Sequence, residues 1–422
     1  MTDGAKMSGG EASIARCLDL TRLISRLGRG PLTGVDRVEL AYLTHLLNDP
    51  VPLYLLVRTA LGYLLLDQDG AGLVAARFAG QVAWGKADLI GRLSRKATPD
   101  KRRAEADLRR LALRRCRRGG LAAMLRAALP PGCRYLNVGH SNLTEEVLTA
   151  WRGLPGARIA VLIHDMIPLD YPQYQRPGTP EAFRAKMQRV AKSTDVIICN
   201  SRKTESDVTR WFADWGRGAN TIVAHLGIDL PKPDAAALPP DIDLTRPTFL
   251  MLGTIEPRKN HALLLDVWES FAEGLPDADI PQLIIAGSRG WNNEAVFSRL
   301  DRSPVMGCHV QERAGLGDPA IAALMAQAAA VLFPSHAEGY GLPAAEAISL
   351  GTPVICSKLP VFDEFLGNIP VYAESDDVYL WKQSILQFAE KKKAGQTGGG
   401  RKSADFDIPT WSDHFNLVLK VI

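Results

Sequence analysis

The amino-acid sequence predicts an α/β protein in which two doubly wound, Rossmann-like domains face each other across a cleft. Short apolar and β-branched runs alternate with helical patterns over most of the chain, as in parallel sheets covered by helices on both faces. The alternation stops at 230–247, a stretch rich in proline and small residues, and then restarts. The length of 422 residues exceeds what one ordinary hydrophobic core requires, so two domains are expected.

The first domain is predicted over residues 1–229. Apolar runs bounded by turn residues predict its strands, at 15–21, 51–58, 135–140, 158–165, 195–201 and 221–226. Helical patterns fill the gaps, for example at 35–47 and 180–191.

The second domain is predicted over 248–400, after a linker at 230–247. Its strands are expected at 248–254, 282–288, 309–314, 330–335, 353–357 and 369–373. The last stretch, 401–422, is expected to form a helix that crosses back and packs on the first domain. Ligands of such sheets bind outside the carboxyl ends of the strands, so the cleft is the expected site.

The composition argues against several classes of protein. A formal net charge of only +4 disfavours a dedicated nucleic-acid-binding protein. The six cysteines lack any metal-site or disulfide spacing, which is typical of a reducing compartment. The amino-terminal residues lack the apolar stretch of a signal peptide, and no run of 18 apolar residues occurs. A cytoplasmic location is therefore expected.

One strongly basic segment, residues 101–120, allows two interpretations. It carries nine basic residues and two acidic residues on a helical pattern. It is either a solvated helix of the first domain or, over 101–118, a basic face lying on the anionic inner surface of the plasma membrane. In the second interpretation an apolar stripe completes the helix, formed by Leu108, Leu111, Ala112 and Cys116.

A glycine-rich elbow follows the predicted strand at 330–335, and the sequence from there on reads "HAEGYGLPAAEAISLGTPVI". Gly339 and Gly341 allow the backbone to approach a bound group closely. The helical pattern starts directly after them, so the amides of Tyr340, Gly341 and Leu342 are expected to face an anion at a helix N-terminus. A phosphate group suits this position.

Two glutamates, Glu338 and Glu346, flank the elbow. Eight helical residues would separate them by about 12 Å, which exceeds the roughly 5–9.5 Å between the paired carboxylates of glycoside hydrolases. The pair therefore suits two parts of one long ligand better than a single scissile bond.

The elbow resembles the two-glutamate signature of the retaining glycosyltransferases of family 4, which have the GT-B fold. Other blocks of the chain are similar to that family in the same order. They are "LTGVDRVELAYL" (32–43), "VLIHDMIPLDYPQY" (161–174), "HLGID" (225–229), "LGTIEPRKNHALLLDVW" (252–268) and "AGSRGW" (286–291). The blocks at 161–174 and 252–268 resemble in particular the mannosyl- and hexosyltransferases of bacterial surface-polysaccharide assembly.

The resemblance implies that the first domain lies on the acceptor side and that the second domain binds the nucleotide sugar. It also implies a role for each matching residue. Arg258 and Lys259 would contact the donor diphosphate, and Glu338 would bind a hydroxyl of the transferred sugar. His164 would position that sugar from across the cleft, and Glu346 would accept hydrogen bonds from the ribose hydroxyls. The remaining donor-binding positions are Gly34, Gly253, Thr254, Ser288, Gly339, Tyr340, Gly341 and Leu342.

Thr254 departs from the family pattern, because many members have an arginine there. One positive contact with the phosphates would then be absent, and Arg258 and Lys259 would carry more of the charge. Asp165 is expected to cap or orient its loop.

No metal and no cofactor are expected. Four Asp-x-Asp strings occur, but they lie in predicted loops or linkers away from the motifs, at Asp67/Asp69, Asp241/Asp243, Asp277/Asp279 and Asp405/Asp407. No GxGxxG or GxxxxGK motif follows a strand, which disfavours dinucleotide-dependent redox chemistry and P-loop chemistry.

The sequence thus predicts a metal-independent, retaining enzyme that transfers a hexose, with mannose favoured, from a nucleoside-diphosphate sugar to a hydroxyl of a glycan or lipid-linked acceptor. Two alternatives stay open. One is an enzyme of the same architecture with other chemistry, such as a phosphorylase or a sugar-nucleotide epimerase. The other is a non-catalytic nucleotide-sugar binder.

Overall fold

The structure, a computed structural model, describes residues 15–94, 96–396 and 407–422. Within these residues the strands form two sheets, one of eight strands and one of six, each covered by helices. The predicted α/β class with two doubly wound sheets is confirmed.

The first sheet comprises β1 (Arg16–Asp19), β2 (Leu53–Thr59), β3 (Gly62–Leu66), β4 (Arg114–Cys116), β5 (Arg134–Asn137), β6 (Arg158–Ile163), β7 (Val196–Cys199) and β8 (Thr221–Val223). The second sheet comprises β9 (Thr248–Leu252), β10 (Gln282–Ala286), β11 (Val310–Arg313), β12 (Ala330–Phe333), β13 (Val354–Ser357) and β14 (Val371–Ala373).

The helices that cover the first sheet are α1 (Thr21–Arg26), α2 (Gly34–Leu47), α3 (Gln68–Phe78), α4 (Leu89–Leu93), α5 (Pro99–Leu111), α6 (Leu121–Ala128), α7 (Glu145–Arg152), α8 (Ile167–Asp170), α9 (Thr179–Ser193) and α10 (Arg202–Asp214). Those that follow are α11 (His261–Gly274), α12 (Glu294–Arg302), α13 (Asp318–Gln327), α14 (Leu342–Ser349), α15 (Pro360–Leu366), α16 (Val378–Lys393) and α17 (Trp411–Val418).

The strand order reverses once in each sheet. The first sheet has the order β4-β3-β2-β1-β5-β6-β7-β8, and the second has the order β11-β10-β9-β12-β13-β14. All pairs are parallel except β2 with β3 and β3 with β4. In open parallel sheets the crevice for a ligand lies at the carboxyl ends of the strands where the order reverses. These points are β1/β5 in the first sheet and β9/β12 in the second.

The apolar residues that the sequence places in strands form the cores. The four inner strands of the second sheet, β9, β10, β12 and β13, are buried over every residue, as expected for strands covered on both faces. The edge strands β11 and β14 are only partly buried. Separate apolar clusters pack on the two faces of each sheet.

The carboxyl-terminal helix α17 packs on the side of the first sheet, as expected. Phe415 and Val418 are buried in the same cluster as Tyr42 of α2, and Tyr42 Oη lies 2.7 Å from His414 Nε2. The backbone amide of Ile228 also donates to the carbonyl oxygen of Pro409 at 3.0 Å. The helix therefore returns from the second sheet to cover the first.

Direct contacts join the two sheet-containing parts. Trp291 Nε1 donates to the carbonyl oxygen of Tyr174 at 3.0 Å. The carboxylate of Glu364 on α15 accepts from the amides of Arg202 and Lys203 at the start of α10, at 2.7 and 3.2 Å. The two strand edges that face the cleft are therefore held close together.

Two strands were not predicted from the sequence. β3 forms an antiparallel hairpin with β2, and β4 pairs with β3 at the edge of the first sheet. The single helix expected at 101–120 is wrong in its second half, because α5 ends at Leu111 and 114–116 form β4. The predicted domain limits stay predictions. The predicted boundary at 400/401 lies outside the described residues, and so does Asp405 of the Asp405/Asp407 string.

The apolar stripe of the basic segment faces the protein. Leu108 is fully buried in the core of the first sheet, with Leu111 and Ala112 packed against the same cluster. Arg109 makes two 2.7 Å hydrogen bonds to Asp88, and Arg110 pairs with Asp107 at 2.6 Å. The stripe is therefore not available to lipid, which corrects that part of the interpretation.

Candidate functional site

The candidate site lies at the reversal point of the second sheet. β9 continues through Gly253 into a single turn of 3-10 helix, Pro257–Lys259. β12, its neighbour in the sheet, continues through Ser335 and Glu338 to the start of α14. Both predicted motifs, "EPRKN" and "HAEGYG", therefore meet at one edge because their strands are adjacent and parallel.

Glu338 accepts hydrogen bonds from both predicted cations. Its Oε1 lies 2.6 Å from Lys259 Nζ, and its Oε2 lies 3.0 Å from Arg258 Nη1. The hydroxyl of Ser335 also donates to Oε1 at 2.6 Å. The side chain of Glu338 is only 7% exposed, so this carboxylate is buried and held from three sides.

Arg258 is shared between two carboxylates. Its Nη2 donates to Glu256 Oε1 at 2.6 Å, and its Nη1 also donates to the carbonyl oxygen of Ala337 at 2.5 Å. Two cations thus balance two carboxylates within one buried cluster. A diphosphate that entered the cluster would compete with Glu338 and Glu256 for these cations.

The charges around Glu338 determine its protonation. Burial raises the pKa of this carboxyl, but the positive charges of Lys259 and Arg258 outweigh burial and lower the pKa to about 2. Burial lowers the pKa of Arg258, but the negative charges of Glu338 and Glu256 outweigh burial and raise it. Glu338 is therefore an anion at neutral pH and can act as a hydrogen-bond acceptor.

Helix α14 begins directly after the elbow, where Gly341 has a φ of +91°. A Cβ built on Gly341 would clash with the ring of Phe362, so both the backbone and the space require glycine. Pro343 has no amide hydrogen, and the amide of Ala344 donates to the carbonyl oxygen of Gly341 at 3.0 Å, so Leu342 provides the unpaired amide of the first turn. Such an amide is suited to an anion.

Tyr340 contributes its side chain to packing between the two sheet-containing parts. Its hydroxyl donates to the carbonyl oxygen of Leu226 at 3.2 Å, and its ring stacks on Phe365 at 4.6 Å between centroids. Only its backbone amide remains for the predicted donor contact.

The carboxyl end of β6 lies against the elbow. A Cβ built on Gly339 would stand 2.9 Å from both the carbonyl oxygen of His164 and Oδ2 of Asp165. Glycine at this position therefore lets the elbow contact the opposite wall of the cleft. The backbone of His164 and the residue that follows Glu338 therefore lie in contact, and the role of His164 toward the sugar stays a prediction.

His164 is buried and neutral. Burial lowers the pKa of its imidazole to about 4. Its Nε2 lies 2.7 Å from the carbonyl oxygen of Val138, and a carbonyl only accepts, so Nε2 carries the hydrogen. This tautomer leaves Nδ1 as an acceptor for a hydroxyl group.

Asp165 caps its own loop, as predicted, because Oδ1 accepts from the amide of Ile167 at 3.1 Å. Burial raises the pKa of this carboxyl to about 6, although the charge of Arg258 acts in the opposite direction. Asp165 is thus coupled to the charged cluster across the cleft.

Glu346 is separated from the Glu338 cluster and has its own partner. Arg37 Nη1, from α2 on the first-sheet side, lies 2.6 Å from Glu346 Oε1. Arg37 also donates to the carbonyl oxygen of Asp229 at 3.1 Å. Burial raises the pKa of Glu346, and Arg37 partly offsets this. The two glutamates of the elbow share no partner among the described residues.

The remaining predicted positions line the same edges. A Cβ on Gly34 would stand 3.7 Å from Leu342 Cδ1, so the start of α2 reaches the start of α14. A Cβ on Gly253 would stand 3.4 Å from Lys259 Cε. Thr254 and Ser288 are exposed in neighbouring loops, and the carbonyl oxygen of Ser288 accepts from the amide of Ile255 at 3.0 Å.

The sequence analysis did not single out Arg37, Glu256 and Ser335. Arg37 is three residues from Gly34, Glu256 is two residues from Arg258, and Ser335 is three residues from Glu338, and the sequence analysis had singled out all three of these neighbours. Their proximity along the chain was the available signal, but the partner of Arg37 lies more than 300 residues away and could not be inferred.

The described residues contain no group of three or more His, Cys, Asp or Glu side chains that could hold a metal ion. In the same residues no helix is long and apolar enough to cross a membrane.

The fold and the arrangement at β9, β12 and α14 define a glycosyltransferase of the GT-B type. A model of the family described as "Family 4 Glycosyltransferase in conflict systems" matches residues 89–394, more than half of the chain. The chain belongs to this family, and the resemblance found in the sequence is confirmed.

Among curated relatives, the chain is similar to the serotype-specific mannosyltransferase WbdA of Escherichia coli. The two are 31% identical over 282 residues, which cover 63% of this chain and 33% of WbdA. It is 28% identical to the O-antigen chain mannosyltransferase B of Escherichia coli, over 54% of this chain and 61% of that protein. The chain thus spans about a third of WbdA and less than two thirds of the second relative.

Among solved structures, the fold is similar to that of HepE from Anabaena in complex with UDP-glucose. The TM-score is 0.63 at 14% identity, covering 97% of this chain and 98% of HepE. The sucrose-phosphate synthase from Thermosynechococcus elongatus gives a TM-score of 0.54 at 18% identity, over 68% and 72% of the two chains. These likenesses support the fold.

Proposed function

We propose that the chain is a retaining hexosyltransferase that moves a mannose-like hexose from a nucleoside-diphosphate sugar to a hydroxyl of a glycan or lipid-linked acceptor, in surface-polysaccharide biosynthesis. The observation that carries the proposal is the joint contact of Lys259 and Arg258 with Glu338, next to the start of α14. Cations, a helix N-terminus and a buried acceptor carboxylate are the groups that a sugar diphosphate requires.

The similarity to WbdA and to the O-antigen chain mannosyltransferase B supports mannose and a polysaccharide product. HepE was solved with UDP-glucose, which supports a nucleotide-sugar donor for this fold. The base of the donor, guanine or uracil, is left for the binding experiment below.

In the proposed complex, Arg258, Lys259 and the first amides of α14 hold the diphosphate. Glu338 then accepts a hydroxyl of the hexose, and His164 Nδ1 accepts a second one from the opposite wall. Glu346 accepts the ribose hydroxyls, which requires that Arg37 release it at least in part. Donor binding is therefore coupled to the contact between the two sheet-containing parts.

The proposed reaction forms a bond between the acceptor oxygen and the anomeric carbon while the bond from that carbon to the diphosphate oxygen breaks. The hydroxyl proton passes to an oxygen of the departing diphosphate, so no additional base is required. Charge grows on the diphosphate as it leaves, and the cations and amides that hold it are already in place. This positive charge serves the role that a metal ion serves in other transferases.

A peripheral contact with the inner face of the plasma membrane is part of the proposal. Arg114, Arg115 and Arg117 in the basic segment 101–118 are exposed. On helix α4, Leu89 and Leu93 are 77% and 82% exposed, and Asp88, which caps α4, binds Arg109 of α5. Exposed leucines on a helix that packs on the basic segment, together with the exposed arginines of that segment, suit an anionic lipid surface.

The test is an assay for nucleoside-diphosphate release that depends on an added acceptor, preceded by a thermal-shift screen of GDP and UDP. A ligand at 100 times its Kd stabilises a protein by about 2.7 kcal/mol. Stabilisation by one nucleotide together with acceptor-dependent release supports the transferase. Binding without turnover would indicate a nucleotide-sugar binder, and turnover without nucleotide release would indicate a phosphorylase or an epimerase.

A further inference from the structure

A cavity lies at the reversal point of the first sheet and is not lined by the residues that hold the proposed donor. It has a volume of about 490 Å³ and lies between the residues that follow β1 and the loop that follows β5. Thr21 and Ser25 form one wall, and the loop from His140 to Thr144 forms another. Such a position is where open parallel sheets bind ligands.

The cavity is strongly positive. The charged side chains that line it are Arg58, Lys101, Arg118, Lys186, Arg189 and Glu105. Lys101 and the neighbouring Arg109 both share Glu105, at 3.7 Å each. Within the described part of the chain, the other four cations form no salt bridge, and Arg189 donates only to the carbonyl oxygen of Leu143 at 3.1 Å.

Keeping these cations together costs free energy unless an anion balances them. Burial and the charges of Arg189 and Arg22 lower the pKa of Lys186, which is consistent with this cost. Many proteins place a carboxylate beside such a group. Here Lys186 and Arg189, which are both only partly exposed, have no carboxylate partner among the described residues, so an anionic ligand would balance their charge.

The loop that forms the cavity wall is held in an unusual conformation. His140 and Asn142 have φ values of +57° and +64°, which non-glycine residues adopt at a cost. Asn142 Nδ2 donates to the buried carboxylate of Asp19 at 2.6 Å, and Tyr135 Oη donates to the same oxygen at 2.7 Å. The wall is therefore fixed before any ligand arrives.

The same loop provides an acceptor for a hydroxyl group. Asn142 Oδ1 is buried without a hydrogen-bond partner in the described residues, and its amide is oriented by the bond to Asp19. The cavity thus combines unpaired cations with polar groups suited to hydroxyls.

His140 connects this cavity to the cleft. It lines the cavity, and its ring lies 5.0 Å from the ring of His164 between centroids. His164 in turn contacts the elbow at Gly339. A ligand anchored in the cavity by an anionic group would therefore extend its other end toward the proposed position of the hexose.

We infer that this cavity binds the phosphate group of the acceptor, so that the acceptor is a phosphorylated sugar or polyol. The inference rests on the proposed transferase function and adds the class of acceptor. A soluble phosphomonoester and a prenyl-diphosphate-linked sugar share this chemistry.

The first test measures anion binding with inorganic phosphate as the probe, in the Lys259→Ala background, which weakens the donor site and leaves it the same in every variant compared. Phosphate is expected to raise Tm in a saturable manner. The double variant Lys186→Gln/Arg189→Gln should weaken this binding by at least about tenfold, since each charged contact is worth a factor of about ten or more. The matched double variant Arg158→Gln/Arg217→Gln, at exposed positions away from the cavity, should bind phosphate like the parent.

The second test compares acceptors in the otherwise wild-type chain. One arm offers a hexose and its phosphomonoester, and the other offers a prenyl-diphosphate-linked sugar. The phosphorylated form in one arm should be the better acceptor, and Lys186→Gln/Arg189→Gln should raise its KM more than it lowers kcat. The arm in which the double variant raises KM more than it lowers kcat identifies the source of the phosphate.

Phosphate binding that is equal in the cavity variant and its control would overturn the inference, as would equal use of the hexose and its phosphates. Nucleoside-diphosphate binding, measured separately by thermal shift, should not change in the cavity variant. If no nucleotide binds the wild-type chain, the proposed function fails, and the phosphate titration still decides whether the cavity binds an anion.

Discussion

Arg37 on α2 lies 2.6 Å from the carboxylate of Glu346 on α14, so an ion pair crosses from the first-sheet side to the elbow of the second. The resemblance implies that Glu346 accepts hydrogen bonds from the ribose hydroxyls of the donor. Its side chain is only 6% exposed, so it has little room for two partners at once. A nucleotide that uses Glu346 must therefore displace or share Arg37.

Arg37→Gln is expected to tighten nucleoside-diphosphate binding severalfold while it lowers the Tm of the free protein. The glutamate becomes available to ribose, but in the free protein a buried carboxylate loses its charged partner, which is destabilising. Thermal shift with and without the nucleotide measures both effects, with the exposed Arg29→Gln as control. Weaker nucleotide binding in Arg37→Gln would mean instead that Arg37 helps to hold the donor.

Lys259→Ala is expected to lower kcat/KM by on the order of 10²–10³, comparable to the loss of one strong transition-state donor. The lysine would otherwise neutralise charge that develops on the leaving diphosphate. Steady-state assays of nucleotide release measure this, with Lys232→Ala, an exposed lysine after β8, as control. Near-normal turnover in Lys259→Ala would remove the diphosphate role of this residue.

Much of the fold could be predicted from the sequence because buried parallel strands are continuous apolar runs, as in "TFLML" and "QLIIA". The hairpin strand β3 was missed although "GYLLL" is equally apolar, since one turn separates it from β2. β4 was missed because "RRC" carries no apolar signal, and its strand conformation depends on pairing with β3.

The candidate site was predictable where its residues follow adjacent strands. Arg258, Lys259 and Glu338 could be placed together because β9 and β12 each end in a recognisable motif. The contacts of Glu346 with Arg37 and of Gly339 with Asp165 depend on how the two sheet-containing parts meet. No local pattern encodes that relation, so these contacts required the structure.

Glu338→Gln is expected to abolish hexose transfer while nucleoside-diphosphate binding stays measurable or becomes tighter. Glutamine keeps the shape of the side chain but removes the charge that pairs with Lys259 and Arg258, so these cations become more available to the diphosphate. Transfer assays and nucleotide titrations on the same preparation separate the two effects. Loss of nucleotide binding would show that Glu338 has been assigned the wrong part of the donor.

Asp165→Asn is expected to change how stability depends on pH. Burial raises the pKa of Asp165 from its ordinary 3.8 to about 6, so the folded protein binds this proton more tightly than the unfolded chain does. The stability contributed by the protonated carboxyl is present below pH 3.8 and is lost as the pH rises through about 6.

Asparagine cannot ionise but can still accept the hydrogen bond from Ile167. Relative to wild type, Asp165→Asn should therefore gain stability between about pH 4 and 7, by at most on the order of 3 kcal/mol. Urea unfolding at several pH values measures this difference. A difference that stays constant with pH would show that Asp165 does not titrate in this range.

Arg114→Gln/Arg115→Gln/Arg117→Gln is expected to weaken association with vesicles that contain anionic phosphatidylglycerol by at least about tenfold, because each well-placed arginine contributes about 1 kcal/mol. These arginines are exposed, whereas Arg109 and Arg110 are held in ion pairs. Vesicle co-sedimentation at low and high salt measures the effect, which should disappear in neutral vesicles or at high salt.

Leu89→Gln/Leu93→Gln should lower the part of the association that survives high salt, since these exposed leucines would enter the lipid interface. The Arg158→Gln/Arg217→Gln control removes exposed arginines elsewhere and should bind like wild type. Equal sedimentation of all variants would mean that the basic segment is a solvated surface of the first domain.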